Sequence, residues 1–153
     1  MAIVEIDREG IARTLSLLKS VGQTECVVLW LGRRVGDAIK VQCVYLPKQV
    51  ADFDYFHIPE ESMSELLNFL RKNRLMVAAQ VHTHPGRAFH SPADDEWAII
   101  RHCDGLSLVV PCFAADTSPG NFMAKIVVYR LSERNQWQNV PPSEISGYYR
   151  VTP

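Results

Sequence analysis

The sequence has no uncharged apolar run of the roughly 18 residues that a membrane-crossing helix needs, no CxxC pair, no internal repeat and no low-complexity stretch. Charge of either sign is barely in excess: sixteen Lys and Arg against seventeen Asp and Glu leave a formal net charge of −1 over 153 residues. A dominant phosphate-neutralising surface is not indicated, so nucleic-acid binding has no support in charge or motif, and nothing points to a membrane. The opening MAIVEIDREG has neither the basic head nor the apolar stretch of a secretory signal, which makes the cytoplasm the expected compartment. The four cysteines, Cys26, Cys43, Cys103 and Cys112, sit in a chain long enough to build its core without disulfides, so reduced, buried thiols are expected. His102, Cys103 and Cys112 do not have a standard zinc spacing.

What is present is an ordinary globular composition, 47% apolar and 22% charged, of the size of one domain. Asp7 is placed to cap a helix that carries Ile11, Leu15 and Leu18 on one stripe and stops near Gly22. Glu25–Leu31 and Ala38–Leu46 read as strands, with a short third over Asp54–Ile58. Pro59, Glu60 and Glu61 suit the start of a helix whose Met63, Leu66, Leu67 and Leu70 form the apolar stripe. Leu75–His84 is the next strand, with Met76–Ala79 apolar on both faces as in a covered central strand. Ser91-Pro92-Ala93-Asp94 has the form of a helix start leading into DEWAIIRHC, and two further strands follow over Leu106–Phe113 and Met123–Leu131. The expectation is a single α/β (α+β) domain over residues 1–153, a mixed central sheet flanked by helices, with its core over about 5–130 and a polar tail over 132–153.

The chemistry is concentrated in Gln80–Glu96, QVHTHPGRAFHSPADDE. His82 and His84 are two apart on a strand, so the pleat sends both imidazoles to one face. Pro85 ends the ladder directly after them. Asp94 lies in the first turn of the following helix, where backbone N–H groups favour a carboxylate. Two imidazoles and one carboxylate are the donor set of an open zinc site, three protein ligands with one position left over. Such a site also needs a base, and Glu25, opening an otherwise apolar strand, is the candidate. His90 reads as a surface-loop residue, His57 and His102 as structural, Trp30 and Trp97 as packing residues, and Arg33 and Arg34 as solvated charges near the presumed cleft.

HTHP, followed by Ser91 and then Asp94, resembles the zinc motif of the JAMM (JAB/MPN) metalloproteases, His-x-His-Pro, a short loop, then Ser-x-x-Asp. The family's upstream glutamate stands in a Glu-x-x-Gly-x-x-x-Gly context; here Glu25 is followed by Gly32 at the matching offset, with Val28 in place of the first glycine. The loop from His84 to Ser91 has six intervening residues where the commonest spacing is seven, and the intact Ser-x-x-Asp spacing favours Asp94 over Asp95 as the ligand. The resemblance runs from about residue 5 to about residue 130 and implies a JAB/MPN-like fold of cytidine-deaminase-like architecture. It implies Zn2+ held by His82, His84 and Asp94, Glu25 as general base and then acid, and Ser91 as the oxyanion donor.

By the same resemblance the substrate is a ubiquitin-like protein or its conjugate, cleaved at the amide after its C-terminus. The compact length is closest to stand-alone prokaryotic JAB proteins, some encoded with ubiquitin-activating and ubiquitin-conjugating enzyme relatives in antiviral defence operons. Two other expectations are a JAB hydrolase that releases a small group such as cysteine from a sulfur-carrier protein, and a non-catalytic MPN scaffold. A complete set of chemically competent residues weighs against the scaffold.

Overall fold

The computed structural model describes residues 2–92, 94 and 98–153. The chain opens with a strand, β1 (Ile3–Asp7), whose last residue caps α1 (Arg8–Ser20): the Asp7 carboxylate accepts from Gly10 N–H at 2.7 Å. Ile11, Leu15 and Leu18 are buried along the inner stripe of α1, as the periodicity requires. β2 (Val27–Val35) and β3 (Ala38–Tyr45) then form a hairpin through Gly36-Asp37, with Gly36 at φ +62°, a conformation that favours glycine. β2 thus runs four residues beyond the expected end at Leu31, through a bulge at Leu31/Gly32. Gly32 has no side chain because a Cβ there would fall 2.5 Å from the Lys40 carbonyl oxygen.

A small hairpin, β4 (Val50–Ala51) with β5 (Phe56–His57), replaces the single short strand expected. Next come α2 (Glu60–Asn73), β6 (Met76–Thr83), β7 (Leu106–Val110), a one-turn α3 (Phe122–Lys125), β8 (Val127–Leu131), β9 (Trp137–Asn139) and β10 (Tyr149–Thr152). Pro59 stands one residue before α2, as its N-cap. Residues 98–103 are not helical, contrary to the helix expected over DEWAIIRHC; Trp97 and the intervening residues lie outside the described ones. Among the described residues no helix is long and apolar enough to cross a membrane.

Eight strands make one mixed sheet in the order β10-β1-β3-β2-β6-β7-β8-β9. β1 is parallel to β10 and β3, β6 is parallel to β7, and the remaining pairs are antiparallel. The alternation along β2 distributes its apolar residues between two cores. Val28 and Trp30 pack with Ile11, Leu15, Leu18, Leu108 and Val128 under α1. Val27, Leu29 and Leu31 pack with Phe56, Ile58 and Leu66 under α2. Apolar residues on both faces are what a strand covered on both sides requires. Trp30 is a packing residue, as expected: it lies against Phe122 and Tyr149, and its indole N–H donates to Thr14 Oγ1 at 2.9 Å.

Candidate metal centre

The site is assembled by strand register. β2 and β6 are antiparallel with Val27 opposite His82, so continuing the pairing by two residues sets Glu25, just before β2, opposite His84, just after β6. Contacts between Cys26 and Thr83 carry that register past the start of β2, and the β4–β5 hairpin holds Glu25. Thr83 N–H donates to Cys26 O at 3.1 Å, Cys26 N–H donates to Thr83 Oγ1 at 3.1 Å, and Glu25 N–H donates to Asp52 O at 2.8 Å. Period-two geometry then turns Glu25, His82 and His84 toward the same side.

The third component arrives from the following loop. Ser91 N–H donates to Asp94 Oδ2 at 2.8 Å and Asp94 N–H donates to Ser91 Oγ at 3.1 Å, a reciprocal capping pair. This pair fixes the direction of the Asp94 carboxylate. His84 Nε2 lies 2.9 Å from Asp94 Oδ2, and His82 Nε2 lies 3.2 Å from the same oxygen without meeting hydrogen-bond geometry. His82, His84 and Asp94 each offer a ligand atom, all within 4.8 Å of one another, and all three side chains are buried. Glu25 Oε1 is 3.6 Å from His84 Nε2, while Glu25 Oε2 is buried with no hydrogen-bond partner among the described residues.

This donor set fits a metal ion. Two imidazole nitrogens converging on one carboxylate oxygen, one of them poorly aligned for a hydrogen bond, is a poor way to satisfy buried polar groups. It is a sound way to surround a cation, since donors about 2.0–2.1 Å from a tetrahedral ion stand roughly 3.4 Å apart. His82, His84 and Asp94 would hold the ion, and Glu25 would stand beside it.

Two carboxylates in one buried cluster have opposite protonation preferences. Burial pushes the Glu25 carboxyl up to about 7; His84 opposes the rise, and the neighbouring Asp94 and Asp54 charges add to it. Burial acts on Asp94 in the same sense, but the two histidine rings drawn to it and the Ser91 amide outweigh it and hold that carboxyl well below the usual carboxylate range. Asp94 is thus a permanent anion, suited to a ligand, and Glu25 a group able to take or give a proton near neutrality.

Aromatic side chains cover the approach. Phe89, partly exposed, packs edge-on against the His84 ring at 4.5 Å, with the Arg87 guanidinium 5.6 Å from its face, and Phe56 packs against His82. Cys112–Ala114 form a turn in which all three residues have positive φ, 53°, 50° and 64°. From this turn Phe113 N–H donates to His84 O and Cys112 N–H donates to Gly86 O, both at 2.9 Å, pinning the chain on either side of Pro85.

The structure therefore brings together all five residues singled out from the sequence: Glu25, His82, His84, Ser91 and Asp94. Asp95, the other carboxylate considered, lies outside the described residues. Four lesser expectations change. His90 is half-buried, not a surface-loop residue. Arg33 and Arg34 lie at the far end of β2 from Glu25, where Arg33 donates to Asn73 O at the end of α2. His102 is exposed. All four cysteines are free, as expected, but Cys103 and Cys112 are exposed because both fall in turns.

An α+β fold with a buried His-His-Asp cluster at the end of its central strands defines a class, that of proteins able to use a metal ion. A relative narrows it: the probable metalloprotease y4jG of Sinorhizobium fredii is 33% identical over 155 residues, covering 97% of this chain and 94% of its own length. The chain belongs to the family of that probable metalloprotease, and a metal-dependent hydrolase is what the family and the site together support. No family model matches the chain. Among solved structures, that of protein DSY2949 from Desulfitobacterium hafniense, determined in solution, superposes with a TM-score of 0.71 at 15% identity, covering 98% of this chain and 93% of that one. At that identity the likeness concerns the fold alone.

Proposed function

We propose that the chain is a zinc-dependent peptidase or isopeptidase of the JAMM type, which hydrolyses the amide bond after the C-terminus of a ubiquitin-like protein and so deconjugates or matures it. One observation carries the reading: a buried glutamate is set by strand register beside the His-His-Asp cluster. A structural metal site has no use for such a group, whereas amide hydrolysis needs one that first accepts a proton and then delivers it to the leaving amine. The donor set of two imidazoles and a carboxylate suits zinc, which when bound supplies Lewis acidity and acidifies water.

Glu25 carries the proton, its Oε2 having no competing hydrogen bond among the described residues. Ser91 Oγ accepts from the Asp94 amide, which leaves its hydroxyl hydrogen to be donated to the substrate carbonyl oxygen as negative charge develops there. Asp94 stays ionised and orients both rings. An extended C-terminal tail is the substrate shape that sheet-edge recognition favours. Relatives of ubiquitin-activating and ubiquitin-conjugating enzymes would be its partners, and the cytoplasm its place of work.

The test is cleavage of a ubiquitin-like protein carrying a C-terminal fusion, with products identified by mass. Wild type is expected to cut directly after the modifier's last residue. Glu25→Ala should abolish cutting while retaining metal, and Ser91→Ala should slow it by roughly 10²–10³-fold. Cutting by Glu25→Ala at the wild-type rate contradicts the mechanism. Release of a small group such as cysteine from a sulfur-carrier protein, with no action on the fusion, transfers the same chemistry to that substrate.

A further inference from the structure

His90, one residue before Ser91, is held by a chain of buried polar side chains that also reaches the far side of Asp94. Gln80, Ser107 and Tyr129 stand side by side across β6, β7 and β8, with Gln80 opposite Ser107 and Ser107 opposite Tyr129. Gln80 lies two residues before His82 on the same strand and therefore on the same face. Its Oε1 accepts from the backbone N–H groups of Ile99 and Ile100 at 2.9 and 3.2 Å, which fixes the orientation of its amide, and its Nε2 donates to Ser107 Oγ at 3.1 Å. Ser107 Oγ is in turn hydrogen-bonded to His90 Nε2 at 3.0 Å. His90 N–H donates to the Tyr129 hydroxyl at 3.2 Å. The His90 ring packs against Tyr129 and Trp137, each with centroids 5.0 Å away, and edge-on against His82 at 5.6 Å.

We infer that Gln80, Ser107 and His90 form a clasp that positions Ser91 and Asp94 over the histidine pair, with His90 as its positioning residue; this deepens the metal-site reading above and rests on it. The clasp grips the Asp94 segment from both ends, at His90 before it and at Ile99 and Ile100 after it. Segments of irregular backbone are placed poorly by themselves, because each backbone N–H must find a partner. Here the partner groups come from Gln80 on β6, the strand that carries His82, and from Tyr129 on β8. Gln80 and Ser107 are fully buried in strands that are otherwise apolar at these positions, so their presence needs a reason, and bonding the loop supplies it. The clasp touches neither substrate nor metal. It acts on Asp94 through the backbone and on His82 through ring packing, as the outer partners of a metal site do.

The test separates the hydrogen bond from the ring. His90→Phe keeps the packing and removes the bond; Ser107→Ala removes the same bond from its other end; His90→Gln returns a polar group near the Nε2 position without the ring. Zinc affinity is measured by competition with a chromophoric chelator, and exchange of the Ser91 and Asp94 amides is followed by NMR in the metal-free protein. His90→Phe and Ser107→Ala are each expected to weaken zinc roughly 10- to 100-fold and to speed both amides. The double variant should be no weaker than the single ones, and His90→Gln should recover most of the loss. Wild-type affinity and exchange in both single variants, or losses that add, overturn the clasp. If wild type takes up no zinc, the metal reading fails on its own account, and the exchange data decide: faster Ser91 and Asp94 amides in Ser107→Ala uphold the clasp, and unchanged ones overturn it.

Discussion

Glu25 shows how much one buried side chain can control. Its carboxyl, near 7 in the folded metal-free protein against an ordinary 4.5, prefers the protonated form. A raised folded pKa contributes stability that is complete below the unfolded value and is lost as pH rises through the folded one. Metal-free wild type should therefore lose thermal stability between about pH 5 and pH 8, on the order of 5 °C more than Glu25→Gln does; parallel melting curves for the two proteins would contradict this. The cysteines allow a second test at this scale. Burial pushes the Cys26 thiol up to about 12, while Cys103 and Cys112 are exposed. Brief alkylation of the native protein should mark Cys103 and Cys112 and spare Cys26 until the chain is unfolded, as peptide mapping will show. The site residues were legible in the sequence because ligand chemistry restricts residue type and strand period fixes direction. The burial of His90 was not, because its partners Ser107 and Tyr129 come from strands far along the chain. Gln80 did leave a sign, a lone amide in an apolar run on the face that carries the ligands.

At the scale of elements, α1 and β6 matched their sequence patterns closely, and α2 did so with one displacement. Its buried face carries Ser62 and Leu66, with Met63, Phe69 and Leu70 packed beside them, while Leu67 points outward and is 52% exposed. Leu66→Ala should cost about 2–5 kcal/mol and Leu67→Ala within about 0.5 kcal/mol, measured by denaturant unfolding; equal costs would place the stripe wrongly. The helix expected over DEWAIIRHC is absent at residues 98–103 for a reason periodicity does not register. The Ile99 and Ile100 amides are taken by Gln80, and Ile100 is buried without any helical turn around it. The left-handed turn at Cys112–Ala114 is a strained element beside the site. A β-branched residue suits positive φ least, so Cys112→Val should destabilise by roughly 1–2 kcal/mol, whereas Cys112→Gly should not. Unfolding of the two variants side by side checks it.

Across the whole molecule, the polar tail proves to be structural. β9 forms one edge of the sheet and β10 the other, and only residues 140–148 join them. Six of these residues, Pro142–Gly147, form a 3-10 helix that rises about 2 Å per residue, so the connection reaches only about 26 Å, less than the roughly 34 Å between the outer strands of a flat eight-stranded sheet, and the sheet is curled. Neither edge strand was legible, since β9 and β10 are short, of three and four residues, and β10 finds its partner β1 only across the length of the chain. Tyr149 and Ile145 lie in the main core, and Trp137 packs on His90. The tail thus packs on the core and, through Trp137, on His90 beside the candidate metal centre. Truncation after Gln136 should abolish cooperative thermal unfolding; a truncated chain melting like the full one would show the tail to be dispensable.

The central claim is that His82, His84 and Asp94 hold a metal ion beside a proton-carrying Glu25. It is tested most directly by the metal content of purified wild type, His82→Ala/His84→Ala and Glu25→Gln, each shown to be folded. The account predicts about one zinc per chain in wild type, loss of zinc in the histidine variant, and retention in Glu25→Gln. A folded wild-type protein that takes up no metal from a zinc-containing buffer would contradict it.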